Sequence, residues 1–312
     1  MRYLFSVTII FFLLCSCDHI ENPYPTQVSI DLDTNLYPGL WSDYESSEWP
    51  IFETNPNTLR NVMIEDFTGH TCGNCPAVAD YLHNLYLANP TRIYNVAIHA
   101  GTNGLDSFQE VDLPDYPTDF TNPQGLEIGS YFGTSVSVGF FGNPSVSANR
   151  FAVPPAVFFN NNPLLIEDRA NQMLSNNDLK VNLQAKLNYF EETKGGYLHV
   201  ELDPKEASVS NDLAIMVYLL EDSLVGSQLT EEDDPDSTYV HRDIHRGNLN
   251  NESFGRPITS ENLVTDKYLV NYSFTLPNQL DGTYNPSNMH LLICAFNQTT
   301  WEIYQVIKQK IE

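Results

Sequence analysis

The sequence predicts an α/β domain followed by an all-β antiparallel sandwich, and three observations predict it. Two short apolar runs, 62–67 and 93–98, flank a stretch of helical periodicity after Pro76, which makes a β-α-β unit. After Asp178 the hydrophobic period switches to two, and no helical signal of comparable strength follows. The length, 312 residues, suits two domains better than one.

Residues 1–16 read as a signal peptide. Arg2 is the only charge before the apolar run Tyr3 to Leu14, which is too short to span a bilayer comfortably. The following Leu13-Leu14-Cys15-Ser16-Cys17 resembles a bacterial lipobox, and Cys17 is the expected lipidation site. The alternative is plain secretion with Cys17 an ordinary thiol. Residues 17–58 are polar and dotted with proline and read as a lipidated tether and irregular N-terminal segment. Trp41 and Trp49 are expected to pack back onto the first domain.

Residues 59–178 form the expected α/β domain. Pro76 opens the helix at its first turn, where a missing N–H costs nothing. Val78, Tyr81, Leu82, Leu85 and Tyr86 share one face, and Asn89-Pro90 ends it. Residues 101–134, rich in Asp, Pro, Gly and aromatics, read as an insertion with one helix over 124–132. A strand at 145–148 follows, and Asn162-Pro163 starts a last helix running to about Leu174. From 179 to 312, seven or so short strands separated by turn residues predict an immunoglobulin-like sandwich.

Lys plus Arg number 15 and Asp plus Glu 40, a formal charge of −25. That excess argues against a nucleic-acid partner, whose phosphates need basic contacts, and against simple electrostatic docking on an anionic membrane. It leaves a lipid anchor open. Beyond Cys17 only Cys72, Cys75 and Cys294 remain, so the core and not a disulfide framework must stabilise the fold. Cys294, in an apolar run, reads as a small buried hydrophobe.

The segment from Asp66 to Pro76 carries most of the functional information. Strand, turn, C-x-x-C and helix follow in that order. Cys72 therefore stands at a helix N-terminus, where free N–H groups and the helix dipole favour a thiolate. Cys75 lies one turn in, within disulfide reach. Cys72 is the expected attacking thiol and Cys75 the resolving one. Two other readings stay open: a static disulfide that pins the helix, or half of a zinc site with His70. Glu65 and Asp66 alternate faces on their strand, so one is expected buried and the other solvated. Further along, His241 and His245 have the spacing of helical metal ligands. In a strand they would instead share a face with Asp243, and histidines held by carboxylates on a sandwich surface are the expectation. The acidic loop 231–236 could bind Ca²⁺ but lacks the ligand spacing of an EF-hand, so it reads as solvated. No Ser-His-Asp motif, phosphate loop or H-E-x-x-H occurs, and no metal or cofactor is expected.

Cys72-Gly73-Asn74-Cys75, with Asp66-Phe67 upstream, resembles the thioredoxin superfamily. The resemblance implies proton transfer by Asp66 to the resolving cysteine and a cis-proline, Pro144 after Gly142-Asn143, facing the disulfide. Thr71 replaces the usual aromatic and Asn143 the usual small β-branched residue, and both changes bear on substrate docking. Glu65 to Gly69 with Cys72-x-x-Cys75-Pro76, together with Gly142 to Pro144, Asn149-Arg150, and Tyr239-x-His241 followed by Arg246, carry a second resemblance, over about residues 60–310, to the outer membrane protein 28-related lipoproteins of Bacteroidetes. The resemblance implies a lipid-anchored outer-membrane protein, on the periplasmic or cell-surface face, with a thioredoxin-like domain and a β-sandwich. Two functions follow as expectations. One is a thiol–disulfide oxidoreductase acting on envelope or extracellular proteins, with Cys72, Cys75, Asp66 and Pro144 as its site and His70, Glu65, His241 and Arg246 as further candidates. The other is a non-enzymatic surface antigen or adhesin-like binding protein that keeps the fold as a scaffold and the disulfide as structure.

Overall fold

Strand β1 (Val62–Thr68) leads through the C-x-x-C turn into helix α1 (Cys75–Ala88) and strand β2 (Ile93–His99). Helix α2 (Pro123–Gly133), strand β3 (Ser145–Ala148) and helix α3 (Pro163–Asn176) complete the first half. The second half carries β4 (Val181–Phe190), β5 (Gly195–Pro204), β6 (Leu213–Glu221), β7 (Ile244–Asn248), β8 (Lys267–Thr275), β9 (Met289–Asn297) and β10 (Ile303–Lys310). This is a computed structural model, and it describes residues 32–134, 138–152, 158–231, 234–276 and 285–312. The expected signal peptide, Cys17 and much of the tether lie outside the described residues, as do Glu232 and Asp233 of the acidic loop.

The helix starts follow from local chemistry. Asn122 and Asn162 cap α2 and α3, accepting from the backbone N–H of Gly125 and Leu164, and a proline follows each cap. Asn177, in the left-handed conformation, ends α3.

The larger sheet runs in the order β10-β9-β6-β7-β2-β1-β3. β1 pairs in parallel with β2, β2 in parallel with β7, and β3 antiparallel to β1. β6, β9 and β10 continue it in antiparallel fashion, with Arg256–Pro257 also pairing β6. The expected boundary at 178 lies between α3 and β4, and this sheet draws strands from both sides of it. β7 is the joint. It offers one short register to β2 and a longer one to β6, and its sequence, Ile-His-Arg-Gly-Asn, has no apolar run to announce a strand.

β6 shows why the sheet holds together. Its odd residues, Leu213, Ile215, Val217 and Leu219, pack against a second sheet built from β4, β5 and β8, capped by Leu263–Val264. Its even residues, Ala214, Met216, Tyr218 and Leu220, pack with Phe67, Ile98 and Phe132 on the opposite face. A strand buried on both faces reads as the continuous apolar run that Leu213 to Leu220 is. The C-terminal strands therefore do pack as two sheets, but one of those sheets is the same sheet that holds β1, β2 and β3. At the other end α1 and α3 cover Val62, Ile64, Val146 and Ala148.

Trp41 and Trp49 do not pack on the α/β half. With Tyr37 and Tyr44 they cover the outer face of the second sheet at Tyr197, Phe190 and His199. Alternation along β5 is the cause. Leu198, Val200 and Leu202 point inward, leaving the aromatic Tyr197 and His199 outside to be covered. Tyr44 Oη and His199 Nε2 lie 2.7 Å apart.

Candidate functional site

The C-x-x-C turn is closed by two backbone bonds, Cys72 N–H to Gly69 O (3.2 Å) and Cys75 N–H to Cys72 O (3.1 Å). Cys72 and Cys75 are joined as a disulfide with Cα atoms 5.4 Å apart. That bond removes both thiolates from any zinc donor set. Both residues are buried, 2% and 1% exposed.

Two segments cover the pair. On one side Thr71 donates from its N–H to Phe108 O (3.2 Å) and from its hydroxyl to Ser107 O (3.0 Å). The approach is close enough that a Cβ on Gly69 would sit 2.4 Å from the Phe108 carbonyl oxygen. On the other side Leu229 N–H donates to His70 O (2.8 Å), and Gln228 Nε2 donates to Cys72 O (3.2 Å). The second segment comes from the C-terminal half, more than 150 residues away in sequence.

Pro144 follows a cis peptide bond. The β1–β3 register pairs Phe67 with Ser145, so Pro144 comes next to Thr68 at the start of the turn. Gln109 Nε2 ties the two loops together, donating to Thr68 O (2.7 Å) and Asn143 Oδ1 (3.3 Å).

Asp66 lies on β1 opposite Ala97 and is 5% exposed. Its Oδ1 has no protein partner. Burial pushes its carboxyl up to about 7. It lines a cavity of about 50 Å³ together with Cys75, His99, Gln228, Tyr239 and His241. Glu65 is buried as well, so neither carboxylate is solvated as the alternation of faces predicts. β1 is an interior strand covered on both sides. Arg150 holds Glu65 through Nε (2.8 Å) and Nη2 (2.6 Å), and Arg150 Nη2 also donates to Tyr218 Oη (2.7 Å).

The remaining candidates separate. His70 is buried, its Nε2–H donating to Glu110 O (3.1 Å), and burial lowers its basicity. His241 does not sit on a sandwich surface. It is 5% exposed, its ring 4.2 Å from that of Phe120 and 5.6 Å from that of His99, and burial brings it down to about 4. His245 is fully buried, with Nε2 2.7 Å from Asn248 Oδ1. Neither ring is held by Asp243, which serves His290 (3.1 Å) and Lys308 (3.3 Å) instead. The segment enters the sheet interior as β7, which is why the surface reading fails there. Arg246 pairs with Glu221 (3.4 Å) and does not line the cavity. Cys294 is buried in the core.

The structure thus brings Cys72, Cys75, Asp66, His70 and His241 into one region, with the Pro144 loop beside it. Sequence reasoning missed His99 and Gln228. His99 carried a readable signal, because period two on β2 puts it on the face of Ala97, the face Asp66 shares across the ladder. Gln228 carried none.

No protein-family model matches the sequence. No curated protein matches it either. Among solved structures the chain is similar to HBP35 of Porphyromonas gingivalis, with a TM-score of 0.61 at 14% identity over 81% of this chain and 75% of that one. It also overlays a structural-genomics protein from Agrobacterium tumefaciens (TM-score 0.44, 11% identity, 80% of this chain and 94% of that one). A domain of the outer membrane lipoprotein Omp28 from Porphyromonas gingivalis overlays with a TM-score of 0.28 at 17% identity, over 43% of this chain and 88% of that domain. The first similarity is one of fold; the other two superpose too loosely to carry an argument. Among the described residues no helix is long and apolar enough to cross a membrane.

Proposed function

We propose that the protein is a lipid-anchored envelope component whose thioredoxin-like half exchanges thiols and disulfides with envelope or extracellular proteins. The observation that carries this reading is Asp66: a buried carboxyl with a free oxygen, poised to titrate near neutral pH, in one cavity with Cys75. A carboxyl placed only for structure would be paired, as Glu65 is.

In the reduced protein the Cys72 thiolate attacks a partner disulfide. One S–S bond forms, the partner's bond breaks, and the partner's other sulfur leaves as thiolate. Cys75 gives its proton to the Asp66 carboxylate and attacks the Cys72 sulfur. The Cys72–Cys75 bond re-forms and the second partner thiolate departs. Two electrons have passed to the partner, and Asp66 holds one proton. The reverse sequence oxidises a partner dithiol. The Pro144 loop shapes the face where the partner docks, and the C-terminal sheets, read as immunoglobulin-like, orient it. Anchoring through Cys17 places the site at the outer membrane, facing the periplasm or the cell surface.

The covering of both sulfurs favours a second reading, a surface antigen or adhesin-like binding protein with a structural disulfide. The reduction potential separates the two. Exchange activity predicts a value between about −270 and −120 mV, and a structural disulfide one below about −300 mV. In parallel, Cys75→Ala should trap mixed disulfides with envelope proteins, and Cys72→Ala none.

A further inference from the structure

Thiol exchange leaves Asp66 holding a proton, and because the carboxyl is buried it exchanges that proton with solvent only along a path through the protein. The cavity it lines offers a route. Its lining runs from the half-buried His83, Tyr239 and Arg242 to the buried Asp66, Cys75, His99 and His241. Four buried polar atoms of the lining residues have no protein partner: Asp66 Oδ1, Asn95 Oδ1, His99 Nδ1 and His241 Nε2. Orphaned buried polar atoms are rare in folded proteins. Here they surround about 50 Å³, several times the roughly 10–15 Å³ that one water needs. Two of the four are ring nitrogens of a residue that can take a proton on one nitrogen and give it up from the other.

We propose that His99 and His241, with water between them, relay protons between solvent and the Asp66–Cys75 pair during thiol–disulfide exchange. The proposal rests on the exchange reading above. Only protons move along this path; both electrons pass through the sulfurs. His99 is positioned by β2, on the same sheet face as Asp66, and its ring lies 5.6 Å from that of His241. Tyr239, with its ring 4.8 Å from that of His241, lies toward the outer lining. The charged and titratable groups around the path come from every neighbouring element. They are His70 from the turn, Arg246 from β7, Asp80 and His83 from α1, Asp119 from the loop before α2, Asp236, and Arg242 and Asp243 from the segment entering β7. Burial keeps both histidines neutral, with Arg246 adding to the effect at His99, so they pass a proton on and do not store it.

The test is the steady-state rate at which the protein, re-reduced in each turnover by excess dithiothreitol, reduces insulin disulfides between pH 5 and 9, in wild type, His99→Gln and His241→Gln. A relay predicts a loss of about tenfold or more near pH 7 in His99→Gln. The rates should converge toward wild type at high pH, the reduction potential should not change, and added imidazole should restore His99→Ala. Superimposable pH–rate profiles would overturn the relay. So would a uniform slowing at every pH without imidazole rescue, which marks a packing defect. If His99→Gln does not fold, His241→Gln carries the same test. A wild-type protein that reduces nothing removes the exchange reading itself, an outcome distinct from active variants with an unaltered profile.

Discussion

Glu65 points to the face of β1 that α2 covers, where Arg150 and Tyr218 take up its carboxylate, whereas Asp66 points to the opposite face and keeps one oxygen without a protein partner. The two are adjacent in sequence and buried alike. What differs is the company each meets. Arg150 stacks over Phe132 of α2 and closes a buried ion pair between the turn after β3 and strand β1, with Tyr218 of β6 hydrogen-bonded to both partners. Asp66 meets a small cavity that His99, His241 and Gln228 line together with apolar side chains. A buried charge with full hydrogen bonding fixes how parts of a fold assemble, while a carboxyl left partly unsatisfied costs stability and is kept where it can titrate.

The comparison breaks most visibly at Glu65. Glu65→Ala leaves Arg150 buried without its partner and should cost on the order of 3–5 kcal/mol in urea unfolding. A loss well under 1 kcal/mol would mean that the pair is not the fastener its geometry implies. Asp66→Asn should act in the other direction. In the unfolded chain this carboxyl ionises near 3.8, and in the fold near 7. The wild type therefore loses stability as pH rises between those values and recovers none above them. At pH 8 the amide should be more stable than wild type by about 2–3 kcal/mol, the desolvation of the charge less that of the amide. It should also flatten that pH dependence.

On the Glu65 side, His245 offers a smaller test. Burial holds it near 4 against 6.5 when unfolded. The unfolded chain therefore takes up the proton first as pH falls. At pH 5.5 this should cost about 1.4 kcal/mol relative to pH 8, and His245→Gln should remove that dependence. The smallest effect is expected at Gln228, whose amide bonds to the Cys72 carbonyl. Gln228→Ala should lower stability by about 1 kcal/mol and speed iodoacetamide capture of Cys72 in the reduced protein. An unchanged alkylation rate would show that this side chain does not limit access.

The local parts of this molecule were legible in its sequence. Pro76 at the start of α1, Asn162-Pro163 at the start of α3 and the strand Ser145–Ala148 each carry a signal within a few residues. The pairing of distant strands was not. β7 is short, polar and interrupted by Gly247, so nothing in it announces a place between β2 and β6. That one strand turns an expected surface histidine pair into interior residues and carries His241 to the cavity. The aromatic side chains of 37–49 signalled burial, but the choice of sheet depended on which residues β5 left facing outward. At the site, the C-x-x-C spacing and Asp66 could be read directly. Gln228 and the histidine cluster arise only from chain segments meeting in three dimensions.

The strand order has a consequence for dissecting the chain. Cutting at 178 would strip β2 of its outer neighbour and leave β6, apolar on both faces, without half of its cover. Fragments 32–178 and 179–312 should each be sticky alone, yet co-expressed they carry complementary edges, and a split protein regenerated by fragment complementation is the behaviour this architecture entails.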